Sequence, residues 1–255
     1  MKGRLESQAI VVPAPGWVFD LLDDDGNHPN VTVAAGTYSP TTLLAAVVAA
    51  MNAASAETYT GSLDAGEGGT GCATIATATS ALFELTWIDL DLREALGFTL
   101  VLDGAVTYTG ALGVKGLWLP DAPWWGSYGL ADPGHVEGGP TQVVSPRGRV
   151  STIGRPTRVR LPPITWSHVT AARARLAAES GAPRSWERFC LEVIWGVGLS
   201  YIAPGGIVRW IPNADVPGTY VDYYPIAPTT TAQDRPNQEW LGVYGCKFEG
   251  WKVPA

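Results

Sequence analysis

The clearest pattern along the chain is a helical repeat of apolar residues that follows Ser39 and Pro40. The apolar side chains recur at intervals of three and four residues, at Leu43, Leu44, Val47, Val48 and Met51. Such intervals place side chains on one face of an α-helix, and no ionisable residue falls on this face. Serine caps helix starts, and proline fits the first helical position. The pattern predicts a packing helix over 41–54.

A strict alternation of apolar and polar residues follows at 83–87, which predicts a strand with Phe83, Leu85 and Trp87 on one face. The next segment predicts a short helix over 90–96 that ends at Gly97, within a Leu-Gly-Phe motif. Similar alternation predicts further strands over 10–13, 17–22, 31–34, 59–63, 72–78, 106–110, 114–119, 149–153, 156–161, 206–212 and 219–225. The segment 240–253 is expected to form a final strand or a broken hairpin. The strands on either side of the glycine-rich stretch at 66–71 are expected to form a hairpin.

Two further helices are predicted in the second half of the chain, over 168–180 and 185–195. The later one begins at the capping residue Ser185 and has one apolar face. Many strands and few helices together predict a β-rich α+β fold. We expect antiparallel sheets or a sandwich, with packing helices at about 41–54, 90–96, 168–180 and 185–195.

The segment 121–146 predicts a boundary, because it is rich in glycine, proline and tryptophan and has little apolar periodicity. We therefore expect an N-terminal α+β module over 1–120 and a C-terminal α+β module over 147–255. Trp124, Trp125 and Tyr128 lie in this linker. Tryptophan is enriched where interfaces bury energy, so these residues are interface candidates. The alternative is that they fill the junction between the two modules.

Charge is sparse and unevenly placed. Only 16% of the residues are charged, against about 25% in typical soluble domains. The net charge is −7, but residues 1–140 carry 16 acidic and 4 basic residues, whereas residues 141–255 carry 8 acidic and 13 basic residues. Unlike patches can steer and orient contacts between identical subunits. The charged interface candidates are Asp23, Asp24, Asp25, Arg147, Arg149, Arg155, Arg158 and Arg160. The alternative is chance clustering on two solvated faces.

No motif in the chain predicts catalysis, a metal site or a cofactor. His28, His135 and His168 lie in three separate segments. The cysteines are three in number and have no CxxC spacing, so buried reduced thiols are expected at Cys72, Cys190 and Cys246. The acidic turn after position 22 lacks the distal glutamate of a calcium loop, and a hairpin turn is expected there. The glycine-rich stretch at 66–71 lacks the Lys-Ser/Thr pair of a phosphate loop.

Four carboxylates lie close together in the sequence and could in principle act in catalysis. They are Glu84, Asp89, Asp91 and Glu94. Paired carboxylates can hydrolyse glycosides. Here the acids fall on the outward face of a strand and at a helix start, where they are expected to be solvated or to favour the helix dipole. We therefore expect a protein that is not an enzyme. No signal peptide or membrane span is predicted, because the longest apolar run is short. The arginine-rich segment reads as a strand, so nucleic-acid binding is not expected.

The segment that starts at Tyr38-Ser-Pro and runs through the predicted helix, the 83–87 strand, the Asp91-to-Phe98 helix and Trp118-Leu-Pro resembles virion structural proteins of tailed bacteriophages. It covers about a third of the chain. The resemblance implies a structural subunit of the particle, most simply a tail component, made in the cytoplasm of a bacterial host. Its partners would be copies of itself and other virion proteins. It supplies no catalytic residues to transfer.

Two alternatives stay open at this point. One is a capsid decoration or tail-tip module that binds a host surface glycan, with aromatic platforms at Trp124, Trp125, Tyr128 and Tyr223. The other is a cell-wall hydrolase that uses Glu84 or Asp91.

Overall fold

The computed structural model describes residues 2–79, 81–98, 102–121, 124–125, 135–137, 141–144, 150–153, 158–160, 164–170, 184–197, 201–203, 205–226 and 243–253. Within these residues the fold is strand-rich, with antiparallel sheets and a few short helices, so the predicted β-rich α+β class is confirmed. None of the described helices is both long enough and apolar enough to cross a membrane.

The strands are numbered in chain order. Those of the first half are β1 (Arg4–Ser7), β2 (Ile10–Asp23), β3 (Gly26–Tyr38), β4 (Tyr59–Leu63), β5 (Ala73–Thr77), β6 (Phe83–Trp87), β7 (Leu102–Ala105), β8 (Thr107–Thr109) and β9 (Leu117–Trp118). Those of the second half are β10 (Trp124–Trp125), β11 (His135–Glu137), β12 (Thr141–Val144), β13 (Val150–Ile153), β14 (Arg158–Arg160), β15 (Ile164–Thr170), β16 (Val208–Ile211), β17 (Val221–Pro225), β18 (Val243–Phe248) and β19 (Gly250–Lys252).

The first half of the chain builds two sheets, in the orders β3-β2-β6-β7 and β4-β5-β8. A seven-stranded sheet has the order β11-β14-β19-β17-β16-β1-β9, and smaller sheets have the orders β10-β15-β18 and β12-β13. The hairpin predicted around the glycine-rich stretch is confirmed, since β4 pairs with β5 from Tyr59 opposite Thr77 to Leu63 opposite Ala73. The hairpin turn predicted after position 22 is confirmed as well, because Asp23 pairs with Gly26.

The seven-stranded sheet crosses the predicted linker. Strand β1 lies between β9 and β16, and Leu5 is opposite Trp118 on one side and Trp210 on the other. Buried residues of both halves also belong to one continuous hydrophobic cluster. The division into modules at 121–146 stays a prediction, but the two halves share a sheet and a core.

The described residues include three helices that pack on these sheets. They are α1 (Pro40–Ala54), α2 (Leu90–Leu96) and α3, an α-helical turn at Trp186–Phe189 that continues as a π-helical turn at Cys190–Ile194. Ser39 caps the start of α1, as predicted, and it also forms a capping box with Thr42. Gly97 ends α2 in the left-handed region, with φ of 75°.

The helix predicted over 168–180 is wrong at its start, because residues 164–170 form β15, while residues 171–180 lie outside the described residues. The reason is a bulge. Ile164, Trp166 and Val169 all face the core, and the register against β18 shifts between Trp166 and Val169. One extra residue in the strand turns the two-residue period into a spacing of three, which resembles a helix.

Other differences also follow from bulges and sheet changes. The two short strands predicted over 10–22 are one continuous strand, β2, with register shifts against β3 at 12–16 and 19–21. The strands predicted over 149–153 and 156–161 belong to different sheets. Strand β13 pairs with β12, whereas β14 lies between β11 and β19.

Replacing Gly97 by Ala is expected to lower the free energy of unfolding by more than about 2 kcal/mol. An added Cβ would lie 2.1 Å from the carbonyl oxygen of Leu112, and the left-handed backbone alone costs an L-residue about 1–2 kcal/mol. Gly68 provides the control, because its φ is 83° and an added Cβ meets nothing within 4 Å. Urea denaturation should show a loss near 1 kcal/mol for Gly68→Ala. Equal losses for the two variants would show that the Leu112 contact is unimportant.

Candidate assembly surface

Helix α1 lies against β3 and β4 and buries one face. That face carries Leu43, Leu44, Val47 and Met51, as predicted, while Val48, also predicted there, is only half-buried and lines a groove. Ala45 and Ala49 on the other side are exposed. From 29 to 56 the chain contains no acidic, basic or histidine residue. Solvent-facing helix surfaces normally carry charged residues, so this outer face is unusual for a surface in permanent contact with water.

A groove runs between the outer side of α1 and strand β4. It encloses about 340 Å³ and is lined by Thr41, Leu44, Ala45, Val48, Ala49, Asn52, Gly61 and Leu63. The helix touches the strand at its floor, because a Cβ on Gly61 would lie 2.7 Å from Cγ2 of Val48 and 3.2 Å from Cγ of Leu44. The lining contains no charged group.

One end of the groove is closed by Asn52. Its side chain accepts a hydrogen bond from the Tyr59 amide at 2.6 Å and donates one to the Tyr59 carbonyl at 3.1 Å. Both backbone groups of Tyr59 therefore point away from β5. Alternate residues of an antiparallel strand point the same way, so the amide and carbonyl of Gly61 also face outward. No group among the described residues hydrogen-bonds to them.

The sheet β4-β5-β8 is uncharged as well, because its three strands contain no acidic or basic residue. Its exposed side chains are small and polar, and the hydroxyls of Thr74 and Thr109 lie 3.0 Å apart. We call α1's outer side, the groove and this sheet the charge-free surface. A partner can cover such a surface without desolvating an ion, which is the costly step in burying polar groups.

The three acidic residues predicted at an interface, Asp23, Asp24 and Asp25, differ in their burial. The side chain of Asp23 is enclosed, with an exposed fraction of 0%, and accepts hydrogen bonds from the Tyr59 hydroxyl and from the amides of Asp25 and Gly26. Burial acts to raise the pKa of Asp23, but hydrogen bonds from Tyr59, Ser55, the Asp25 amide and His28 outweigh it and lower the pKa overall. Asp23 is thus an internal anchor. Asp24 and Asp25 remain exposed.

The other predicted interface residues fall in parts of the chain with little side-chain description. Tyr128, Arg147, Arg149 and Arg155 lie outside the described residues. For the remaining four, only the backbone is described. Trp124 and Trp125 form β10 beside β15, while Arg158 and Arg160 form β14 beside β11 and β19. Contacts of these residues with a partner stay predictions.

Of the aromatic platforms suggested for glycan binding, Tyr223 is wrong, because it is fully buried in the core. Tyr220 and Tyr224 are exposed instead. The Arg209 guanidinium lies 3.7 Å from the centre of the Tyr220 ring and forms two hydrogen bonds with Asp222, at 2.8 and 2.9 Å. This arrangement places aromatic rings beside a paired arginine and carboxylate on an accessible sheet face.

Of the four carboxylates considered for hydrolysis, Asp89 and Glu94 have other contacts, while Glu84 is half-buried on the outward face of β6. Asp89 accepts a hydrogen bond from the Val18 amide at 2.6 Å, and Glu94 forms an ion pair with Lys115 at 2.9 Å. The pKa of Asp91 is raised, first by burial and then by the nearby charges of Glu94 and Asp89. No cluster of possible metal ligands occurs within the described part of the chain.

A buried ionic cluster that no sequence pattern predicted lies between the two halves of the chain. Glu192 is 1% exposed, and its Oε1 lies within 3.3 Å of nitrogens of Lys115, Arg184 and Arg188. Lys115 bridges to Glu94 on α2, and Arg184 donates to the Gly113 carbonyl at 3.0 Å. The sequence pattern that could have indicated this cluster is a single charged residue inside each of two apolar runs, at 114–119 and 189–195.

The cysteines are free and buried, as predicted. Burial raises the pKa of the Cys190 thiol, and the neighbouring Cys246 raises it further, so this thiol is protonated and unreactive at neutral pH.

The chain matches no protein-family model, no curated protein and no solved structure.

Proposed function

We propose that the chain is a structural subunit of a tailed-phage particle, a tail component, which acts by assembling with copies of itself and with other virion proteins. The observation that carries this proposal is the charge-free surface on a protein of net charge −7. Interface cores are depleted in charged residues relative to the rest of a protein surface. An uncharged helix face next to an uncharged groove and sheet has the composition of such a core.

The exposed apolar residues support the same conclusion. Ile88 and Leu90 at the start of α2 are 49% and 58% exposed, and Trp195 and Val197 after α3 are 45% and 57% exposed. Single exposed apolar residues are normal, but pairs at two helix ends add contact area to a subunit surrounded by neighbours.

A glycan-binding module is the second candidate function, because Tyr220 and Tyr224 are accessible beside the Arg209–Asp222 pair. Sugar rings stack on aromatic faces and hydrogen-bond to such pairs. A cell-wall hydrolase that uses Glu84 or Asp91 has less support. Asp89 and Glu94, the acids beside Asp91 that could serve as its paired carboxylate, are engaged in the backbone and ionic contacts described above.

Quantitative mass spectrometry of purified particles tests the proposal. We expect the chain in the particle at many copies, in constant ratio to a known tail protein. Absence from particles, or a copy number below one per particle, would contradict a structural role. Saturable sugar binding that is lost in Tyr224→Ala would favour the glycan module instead.

Light scattering of the purified protein at two salt concentrations adds a physical test of the surface involved. The Debye length falls from about 10 Å at 0.1 M salt to about 3 Å at 1 M, which weakens contacts between unlike charged patches. Contacts through the charge-free surface should persist in high salt. Multimers that dissociate in high salt would point to the acidic and basic patches of the two halves.

A further inference from the structure

Strand β3 forms one edge of the sheet β3-β2-β6-β7, and among the described strands it pairs only with β2. It has 13 residues, whereas β4, β7 and β8, at other edges of the two sheets of the first half, have 5, 4 and 3. Proteins usually keep an edge strand short or protect it with charged side chains, because unpaired backbone groups attract further strands. After Pro29, β3 carries no charge, and most of its residues are exposed. This edge is therefore long, uncharged and accessible.

The backbone of Thr32 faces this open edge. Val18 lies opposite Thr32 on β2, and both its backbone groups bond to Asp89 instead, the amide at 2.6 Å and the carbonyl at 3.0 Å. Opposite residues of an antiparallel pair exchange either both hydrogen bonds or none, so the amide and carbonyl of Thr32 point away from β2. Ala34 follows the same alternation, and its carbonyl accepts a hydrogen bond from the Tyr38 hydroxyl at 2.9 Å. The Ala34 amide therefore also faces the edge.

Thr37 presents its backbone in the same way near the end of the strand. The amide of Val11, which lies opposite Thr37, donates to the Tyr201 carbonyl at 2.6 Å and therefore points away from β3. No group in the described part of the chain hydrogen-bonds to the amides of Thr32, Ala34 and Thr37. Three accessible donors thus lie along one side of the strand, and the carbonyls of Thr32 and Thr37 lie beside them.

The arrangement of these backbone groups selects the kind of partner. An extended strand carries an amide and a carbonyl on the same side at every second residue, about 7 Å apart, and so matches them. A helix uses its amides and carbonyls internally and cannot match them. A polyanion such as a nucleic acid has no cation to pair with, because residues 29–56 include no basic residue. The side chains alternate as well, because Val31 and Val33 are buried while the residues between and after them are exposed.

We infer that this edge binds an extended strand from another subunit of the particle, which pairs through its backbone with β3 from Thr32 to Thr37 and continues the sheet. In strand addition, main-chain hydrogen bonds give affinity and alternate side chains give specificity. The incoming strand should carry apolar side chains beside Val31 and Val33, and small polar ones beside Thr32. The inference rests on the proposed function for the source of this strand, whereas the binding is a property of the edge itself.

Binding is tested on the full purified chain with a synthetic peptide that repeats residues 31–38 and has blocked termini, because this sequence is uncharged and begins with the required alternation. The titration should be saturable. At saturation, NMR-detected hydrogen exchange of the Thr32 and Ala34 amides should slow at least about tenfold, since each amide gains an acceptor. The Val33 amide is the internal control, because it alternates with them and points toward β2. Its exchange rate should stay unchanged.

Two substitutions at Thr32 separate the contribution of the backbone from that of the side chain. Thr32→Pro removes the outward N–H, and proline is tolerated on an edge strand where the N–H faces solvent. The peptide dissociation constant should rise at least about tenfold, because a hydrogen bond is lost and the ring obstructs the incoming strand. Thr32→Val keeps the N–H and nearly the same shape, so its dissociation constant should stay within about twofold of the unmodified chain. Equal urea midpoints would show that both variants fold, and if Thr32→Pro does not fold, the exchange rates of the unmodified chain decide.

Three outcomes would overturn the inference. They are no binding at a peptide concentration of about 1 mM, equal weakening by Thr32→Pro and Thr32→Val, and binding that leaves the exchange of the Thr32 and Ala34 amides unchanged. None of them decides the proposed function, because the presence and copy number of the chain in particles are measured independently. A chain that is present in particles but does not bind the peptide would keep the proposed function and exclude this contact. A chain that binds the peptide but is absent from particles would keep the strand-binding edge and exclude its role in the particle.

Discussion

Replacing Glu192 by Gln is expected to lower the free energy of unfolding by about 3–5 kcal/mol, the usual cost of removing one partner from a buried ionic cluster. The Oε1 atom of Glu192 is the shared acceptor for Lys115, Arg184 and Arg188, at 3.0, 3.3 and 2.8 Å. Glutamine has nearly the same shape but no charge. The variant therefore removes the carboxylate that the buried side chains of Lys115 and Arg184 share, while the packing around position 192 is kept.

The matched control is Glu94→Gln. Both glutamates lie at almost the same distance from the Lys115 ammonium, 2.9 and 3.0 Å, but the Glu94 side chain is 49% exposed and that of Glu192 is 2% exposed. Water can replace the half-exposed partner, so this variant should lose less than about 1 kcal/mol. The two unfolding free energies are obtained from urea titrations followed by circular dichroism.

Similar losses in the two glutamine variants would mean that burial does not control the strength of these ion pairs. A large loss in Glu192→Gln alone would identify the cluster as a connection between the halves, because Lys115 and Glu94 belong to the first half and Glu192 to the second. In that case the whole chain should unfold in one transition, with fluorescence and circular dichroism reporting the same midpoint.

Regular periodicity explains which elements could be predicted from the sequence. Helix α1 and strand β6 have uninterrupted repeats, and their buried faces match the predicted apolar residues. Gly97 was predicted to end α2 because a left-handed position favours glycine. In β15 the bulge between Trp166 and Val169 broke the period, so a local pattern gave a helix where pairing with β18 holds a strand. Non-local pairing is not visible in a local window.

The candidate surface was harder to predict than the fold. Tyr223 and Tyr224 are neighbours in the sequence, and only their position in β17 decides that the first is buried and the second is exposed. Only the linker tryptophans Trp124 and Trp125 were predicted to lie at an interface, while the fully buried tryptophans were not singled out. These are Trp17, Trp118, Trp166, Trp186 and Trp210. A high tryptophan content indicates that large apolar side chains are buried, but it does not show whether they are buried in the core or at an interface.

Replacing Trp118 by Ala is expected to lower the free energy of unfolding by about 3–5 kcal/mol. The Trp118 side chain is 0% exposed, and its ring centre lies 4.8 Å from that of Trp166 and 4.7 Å from that of Trp186. Its removal opens a cavity against two aromatic rings from the second half of the chain. Because close-packed strands cannot collapse freely into such a space, most of the lost contact energy is not recovered.

Trp195→Ala is the control, because this tryptophan is 45% exposed and the same atoms are deleted from the surface. We expect a change below about 1 kcal/mol for this variant. The urea midpoint should fall strongly in Trp118→Ala, while the dependence of the unfolding free energy on urea concentration stays unchanged. This combination indicates a loss of stability without a change in the unfolded state. A separate early transition in Trp118→Ala would instead show that the first and second halves unfold independently and that the shared core does not couple them. A single transition at a lower midpoint is the result that a core spanning both halves requires.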